Sequence, residues 1–153
     1  MERIVVTFEE TAKADKNLAW DGDTAIMELR KWSSTDGSGD KDKIDWAKYR
    51  RGFTWYDGKK PEDFGSYKLP HHRVIDSQLV VVWSGCHAAM GALHGAREGV
   101  DIPEDEQQGC HNHLAKHYAM FGEEPPEMKT KKLLHSFFSD IVKHRRRYID
   151  NRK

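Results

Sequence analysis

Apolar positions recur at helical spacing in two neighbouring stretches, and these stretches predict the centre of the fold. The first runs from Ser84 to Arg97 and ends before Gly99. The second runs from about Ile102 to Phe121, with Asp101 as the expected N-cap. The inward positions are Cys86, Ala89, Met90, Leu93 and Ala96 in the first stretch, and Cys110, Leu114, His117 and Phe121 in the second. Two such helices with a short break between them predict an antiparallel helical hairpin on which the rest of the chain packs.

The flanking pattern predicts further helices and a few short strands. A helix is expected from Asp21 to about Trp32, and a long last helix from Met128 to about Tyr148. Four strands are predicted: Arg3 to Glu10 from weak alternation, Gln78 to Trp83 from an apolar run, and Phe53 to Tyr56 and Ser66 to Leu69 as further candidates. The predicted fold is therefore α+β, an antiparallel helical hairpin plus a third long helix, with a small antiparallel β-sheet. We divide it into an α+β domain over residues 1–127 and a basic amphipathic C-terminal helix over residues 128–153.

Composition narrows the class of protein. A chain of 153 residues is long enough for one compact domain with a core. It has no run of ~18 apolar residues, so we expect no membrane partner. Formal net charge is zero, but Met128 to Lys153 holds nine Lys or Arg against two Asp, a balance of +7, and the preceding residues carry −7. The basic end is thus a local feature that favours an acidic partner.

Four segments carry a recognisable set of motifs: Ala19 to Ser34, Gly65 to His72, Gly91 to Glu106, and His113 to Glu127. Together they resemble a small domain of tailed-bacteriophage head-morphogenesis proteins. In that family the Leu-Pro, Gly-Ala-Arg, Val-Asp-Ile-Pro and His-Leu-Ala signatures come in the same order. The domain occurs beside or fused to prohead proteases, and in short phage proteins without a settled activity. The family's usual Gly-Gly after the Arg is replaced here by Glu98-Gly99, and the last helix lies outside the resemblance.

The resemblance implies a role in the phage head rather than a reaction. We expect a non-enzymatic virion protein that binds the capsid shell as a cement, decoration or minor head protein. The expected partners are the major capsid protein or another head protein, with further copies of this chain as another candidate. The expected location is the virion, and the host cytoplasm during assembly. The alternative is a DNA-binding accessory protein in head assembly or packaging.

Cysteines and histidines are the main candidates for chemistry. Cys86, Cys110, His113 and His117 have residue types that can bind zinc, but no Cys-x2-Cys pair is present, so we expect no metal and no cofactor. His71-His72 together with His113 suggests an HNH-like, metal-dependent nuclease as a less favoured alternative. That motif needs a short loop before its helix, where this chain inserts a predicted helix. With no catalytic triad, phosphate loop or paired carboxylates in the sequence, we expect no catalytic residues.

Basic residues near the end of the chain are the candidate partner-binding site. They are Lys143, Arg145, Arg146 and Arg147. Cations in the last turns of a helix complement its dipole, so a solvated helix terminus is one interpretation. A contact to an acidic patch on the capsid lattice or to nucleic acid phosphates is the other. The sequence does not separate these two partners.

Overall fold

The computed structural model describes residues 3–95 and 99–128. In this part of the chain the helices are α1 (Gly22–Ser33), α2 (Trp46–Tyr49), α3 (Trp83–Leu93) and α4 (Glu104–Met120). The strands are β1 (Arg3–Val5), β2 (Ala12–Lys13), β3 (Phe53–Asp57), β4 (Tyr67–Pro70), β5 (His72–Ile75) and β6 (Gln78–Val81). Over these same residues, none of the helices combines the length and the apolar character needed to cross a bilayer.

Two three-stranded sheets replace the single antiparallel sheet expected from the sequence. One has the order β1-β3-β4 and is antiparallel throughout. The other has the order β2-β6-β5, in which β6 pairs antiparallel with β5 and parallel with β2. The chain changes sheets between β4 and β5: Leu69, near the end of β4, has a φ of 60°, and His71 belongs to neither strand. Period-two alternation does not reveal this change, because the strands on both sides have only four residues.

The core has two halves, and the helices α3 and α4 belong to only one of them. Their inward side chains pack with Trp55, Leu69 and Val81 from the strands. The second half is largely aromatic and lies against α1; its buried members are Leu29, Ile44, Tyr49, Phe53, Tyr56, Tyr67 and Leu79. Its aromatic residues are scattered along the chain without helical periodicity, so the hydrophobic pattern did not predict it.

The α+β class fits this architecture, but its description as a helical hairpin with a third long helix is wrong. The structure has two small sheets and four helices over the described residues, and α1 is as long as α3. The expected Asp101 cap is also wrong, since α4 begins after Pro103 and has no side-chain cap bond. The Asp21 cap of α1 is confirmed, because its carboxylate accepts from two backbone amides. The predicted helix over residues 128–153 lies outside the described residues apart from Met128.

Candidate functional site

Four histidines from distant parts of the chain meet in the interior, and we call them the histidine cluster. They are His71, His72, His113 and His117, and their exposed fractions are 0%, 2%, 5% and 0%. The ring centroid of His71 lies 4.4 Å from that of His72, 5.1 Å from His113 and 4.8 Å from His117. Phe8 packs on His113 and His117, and its ring centroid lies 4.7 Å from that of His117. The cluster is thus enclosed by protein.

Backbone structure positions each of these rings. His71 bridges the two sheets: its amide donates to the Gly52 carbonyl beside β3, and its carbonyl accepts from Val82 after β6. His72 begins β5 and pairs with Val81 of β6. His113 and His117 are four residues apart on α4, so they lie on one face of that helix. The junction of the sheets and one helix face therefore bring two pairs of imidazoles together.

Hydrogen bonds determine which nitrogen of His71 carries the proton. Thr54 Oγ1 donates to the Leu69 carbonyl oxygen at 2.8 Å, so its single proton is already used. His71 Nδ1 lies 3.0 Å from the same carbonyl oxygen and 3.1 Å from Thr54 Oγ1. A carbonyl oxygen can only accept, so the contact to Leu69 assigns the proton of His71 to Nδ1. In the neutral ring, Nε2 is then left with its lone pair.

The other three rings also make their contacts on the side that faces away from the cluster. His113 Nδ1 donates to the Val6 carbonyl oxygen at 2.7 Å. His117 Nδ1 lies 3.3 Å from Met120 Sδ, and His72 Nε2 lies 3.1 Å from Thr11 Oγ1. The remaining nitrogens, His72 Nδ1 and His117 Nε2, are buried and have no hydrogen-bond partner.

The inward nitrogens lie close to one another. His71 Nε2 and His113 Nε2 are 3.2 Å apart. His71, His72 and His117 each offer a ligand atom, and these three atoms lie within 4.8 Å of one another. Within residues 3–95 and 99–128, this is the one group of three or more His, Cys, Asp or Glu side chains that converges in this way.

Burial holds these imidazoles in the neutral form. Desolvation lowers the pKa of His71 and His72 well below the ordinary value, and the neighbouring histidines lower it further. The pKa of His113 falls to about 4 and that of His117 to about 3, with burial as the main cause in both. Neutral imidazole is the form that binds a transition metal. Chemically, the cluster is thus a set of inward-facing neutral nitrogen donors.

Only two of the four zinc candidates named from the sequence lie in the histidine cluster. His113 and His117 are in the cluster, whereas Cys86 and Cys110 lie in the apolar core between α3 and α4. Burial raises the pKa of both thiols to about 12, and neither belongs to the group of side chains that converges among the described residues. The His71-His72 pair completes the cluster instead. A His-His pair and an i, i+4 pair are weak signals separately, and the sheet junction that joins them was not predicted.

The remaining candidates have different outcomes. The three histidines of the nuclease interpretation, His71, His72 and His113, lie close together, but their rings are buried and α3 comes between the strands and α4 in the chain. The partner-binding residues Lys143, Arg145, Arg146 and Arg147 lie outside the described residues. The expectation that the protein binds no metal stays a prediction of the sequence, and the structure does not test it.

Comparison with known proteins gives no further assignment: no protein-family model, curated protein or solved structure matches this chain significantly.

Proposed function

We propose that this protein is a non-enzymatic bacteriophage head protein that binds the capsid shell, of the cement, decoration or minor-head kind. The resemblance over about Trp20 to Glu127 carries the identification as a head protein. The positions of the resembling residues support a binding role over a catalytic one. Leu69, His71 and His72 from one segment, and His113 and His117 from another, are all buried. These segments thus contribute to the framework of the body rather than to an exposed catalytic surface.

The chemistry of the described side chains agrees with a role without catalysis. Attack on a substrate bond needs a group that solvent or substrate can reach, in a suitable protonation state. The histidine cluster is enclosed and neutral, and both thiols are buried and protonated. A phosphodiester has no approach to His72 or His113, which weighs against the nuclease alternative.

Charge distribution favours attachment through the end of the chain. Residues 128–153 carry +7 and the preceding residues −7. A basic segment on an acidic body is suited to an acidic patch on a repeating lattice, with electrostatic attraction assisting the encounter. The major capsid protein or another head protein is the proposed partner, and Lys143 and Arg145 to Arg147 are the proposed contacts.

A sedimentation assay with empty shells tests the proposal. The test variant replaces Lys143, Arg145, Arg146 and Arg147 with alanine. The matched control removes four exposed lysines from the body: Lys41, Lys43, Lys59 and Lys60. We expect the test variant to bind shells more weakly and the control to bind as the wild type does. The difference between them should shrink as salt rises, since exposed charges are screened beyond ~10 Å at 0.1 M.

The same charge run favours the second candidate, a DNA-binding accessory protein. Full-length protein would then bind duplex DNA with an affinity that falls steeply with salt, with a slope of roughly 0.9 per phosphate neutralised. Detection of the protein in purified virions at a fixed copy number per shell would favour the shell-binding role. Salt-sensitive duplex binding, combined with no affinity for empty shells, would replace it with the DNA-binding role.

A further inference from the structure

The facing nitrogens of His71 and His113 present a conflict that hydrogen bonding between the two neutral rings cannot resolve. Each ring has its proton on Nδ1, where it donates to a backbone carbonyl: that of Leu69 for His71 and that of Val6 for His113. The two Nε2 lone pairs then point at each other across 3.2 Å. Two acceptors at this distance repel unless a cation lies between them.

A proton is a poor candidate for that cation. A shared proton would make one ring an imidazolium in an enclosed site, and burial opposes that charge. The polar groups contacting the rings from the surrounding elements are neutral: the hydroxyls of Thr11 and Thr54, the backbone carbonyls and Met120 Sδ. Among the residues that the structure describes, the charged side chains that act on the rings, Arg51 on His72 and Lys116 on His113, are themselves cations.

We infer that the histidine cluster binds one divalent transition-metal ion of the zinc class. Three ligands are one inward ring nitrogen each of His71, His72 and His117, which lie within 4.8 Å of one another. His113 Nε2, 3.2 Å from His71 Nε2, is assigned as the fourth ligand. Zinc–nitrogen bonds of about 2.0–2.1 Å in a tetrahedron place neighbouring ligand nitrogens about 3.3 Å apart. The distance of 3.2 Å between His71 and His113 matches that edge. The two unpartnered nitrogens, on His72 and His117, supply the other donors.

The outward contacts are those that a metal site requires. A histidine that binds a metal commonly donates its other ring N–H to a carbonyl or similar acceptor, which fixes the tautomer and the ring orientation. His71 and His113 donate in this way to backbone carbonyls. His117 has Met120 Sδ and His72 has Thr11 Oγ1 at the corresponding position. His71 and His113 therefore each hold Nδ1 outward and leave Nε2 for the ion, and His117 likewise leaves Nε2. His72 interacts with the Gly52 backbone as well as with Thr11, and its Nδ1 is the nitrogen without a close partner.

The ligand type and the burial indicate which metals bind and in what role. Imidazole suits Zn²⁺, Co²⁺, Ni²⁺, Cu²⁺ and Fe²⁺, whereas Mg²⁺ and Ca²⁺ prefer oxygen. All ligands come from protein and the site is enclosed, which is the arrangement of a structural metal rather than a catalytic one. The ion would connect the junction of the two sheets to α4.

Metal analysis of the full chain tests this inference. Protein expressed in zinc-supplemented medium and desalted should contain about one divalent ion per chain. His72→Ala and His117→Ala should each lower the bound metal to a small fraction of that value. The control is His87→Ala, which removes an exposed histidine of α3 and should keep the metal. Loss of metal in the control to the same extent would overturn the assignment.

A second measurement needs no variant and remains valid if the histidine substitutions fail to fold. The wild-type chain is treated with a chelator and then titrated with Co²⁺, whose visible absorption bands report tetrahedral nitrogen coordination. We expect a one-to-one endpoint and a melting temperature that falls on chelation and recovers with the metal. A folded chain that takes up neither Zn²⁺ nor Co²⁺ at one equivalent, and melts at the same temperature with and without chelator, would contradict the inference.

Discussion

His71 Nε2 and His113 Nε2 lie 3.2 Å apart in the interior of the body, and each of these rings donates its proton to a backbone carbonyl on the opposite side. The two residues are 42 positions apart in the sequence. One lies where the chain passes between the sheets and the other lies on α4, so their contact depends on the whole fold. This contact also leaves two facing nitrogen lone pairs, which are the basis of the proposed metal site.

Thr54 orients His71, so removing its hydroxyl should weaken both folding and metal binding. Thr54→Val keeps the shape but removes the donor to Leu69 and an acceptor for His71 Nδ1. We expect a loss of about 1 kcal/mol in the free energy of unfolding. Zinc affinity, measured by competition with a chelator of known affinity, should fall about 10–100-fold.

The control for this prediction is Thr7→Val, which changes an exposed threonine after β1. Its free energy of unfolding should stay within about 0.5 kcal/mol of the wild type. Unchanged zinc affinity in Thr54→Val would show that the hydroxyl does not position His71 for an ion.

Ala89 lies at the close contact between α3 and α4, and a larger side chain should not fit there. It is 4% exposed and packs in the same half of the core as Cys110 and Leu114. Ala89→Leu should therefore lower the free energy of unfolding by about 1–3 kcal/mol. The neighbouring Ala88 is exposed, so Ala88→Leu is a matched control that should change stability little. Equal midpoints for the two variants in thermal melts would place Ala89 outside the core.

Gly85 is required because Trp20 packs directly on the backbone of α3. A Cβ at this position would lie 2.7 Å from the Trp20 ring, closer than real contacts allow. We expect Gly85→Ala to destabilise the fold by about 1–3 kcal/mol, since the ring or the helix must shift. Gly22 also faces Trp20, but its added Cβ would be 3.7 Å from the indole nitrogen, an ordinary contact. Gly22→Ala should therefore leave the free energy of unfolding nearly unchanged. Urea unfolding of both variants measures the difference.

Acid should destabilise the fold in a pH range set by the histidines. The pKa values of His113, about 4, and His117, about 3, lie below the ordinary 6.5 because burial disfavours their charged form. The unfolded chain thus takes up protons as pH falls through 6.5, while the folded rings stay neutral. Stability is full above that pH and decreases towards pH 4, by up to about 1.4 kcal/mol per pH unit for each ring.

Urea unfolding between about pH 7.5 and pH 5 measures this fall in the free energy of unfolding. The range lies above the ordinary pKa values of carboxylates, so their titration contributes little. His87→Ala should keep the wild-type slope, since it removes an exposed histidine. Bound metal changes how much the free energy of unfolding falls with decreasing pH, but it still falls, because an ion also requires neutral rings. A free energy of unfolding that stays constant over this range would mean that the rings are not buried as the structure shows.

Local sequence signals located α1, α3 and α4 but not the sheets around them. Asp21 correctly marks the start of α1, and periodicity identified the buried positions Cys86, Ala89, Cys110 and Leu114. The helical-hairpin description failed because half of the core consists of scattered aromatic residues such as Tyr49 and Tyr67. Those residues are brought together by the pairing of short strands, which no local pattern encodes.

The candidate site shows the same limit. The i, i+4 spacing of His113 and His117 was visible in the sequence, and so was the His71-His72 pair. Their meeting depends on the positive φ of Leu69 and on the bridge that His71 makes between the sheets. The sequence placed Cys86 and Cys110 in one candidate zinc set with His113 and His117, but the cysteines lie in the apolar core, apart from the converging histidines. Only the tertiary structure distinguishes the two ligand sets.

Anomalous X-ray diffraction at the absorption edge of zinc is the most direct test of the metal centre. Crystals of the full chain purified with zinc should give one strong peak among the four rings. That peak should lie about 2.0–2.1 Å from the inward nitrogens of His71, His72, His113 and His117. Ordered density for all four rings without an anomalous peak between them, or with the peak at Cys86 and Cys110 instead, would contradict the account.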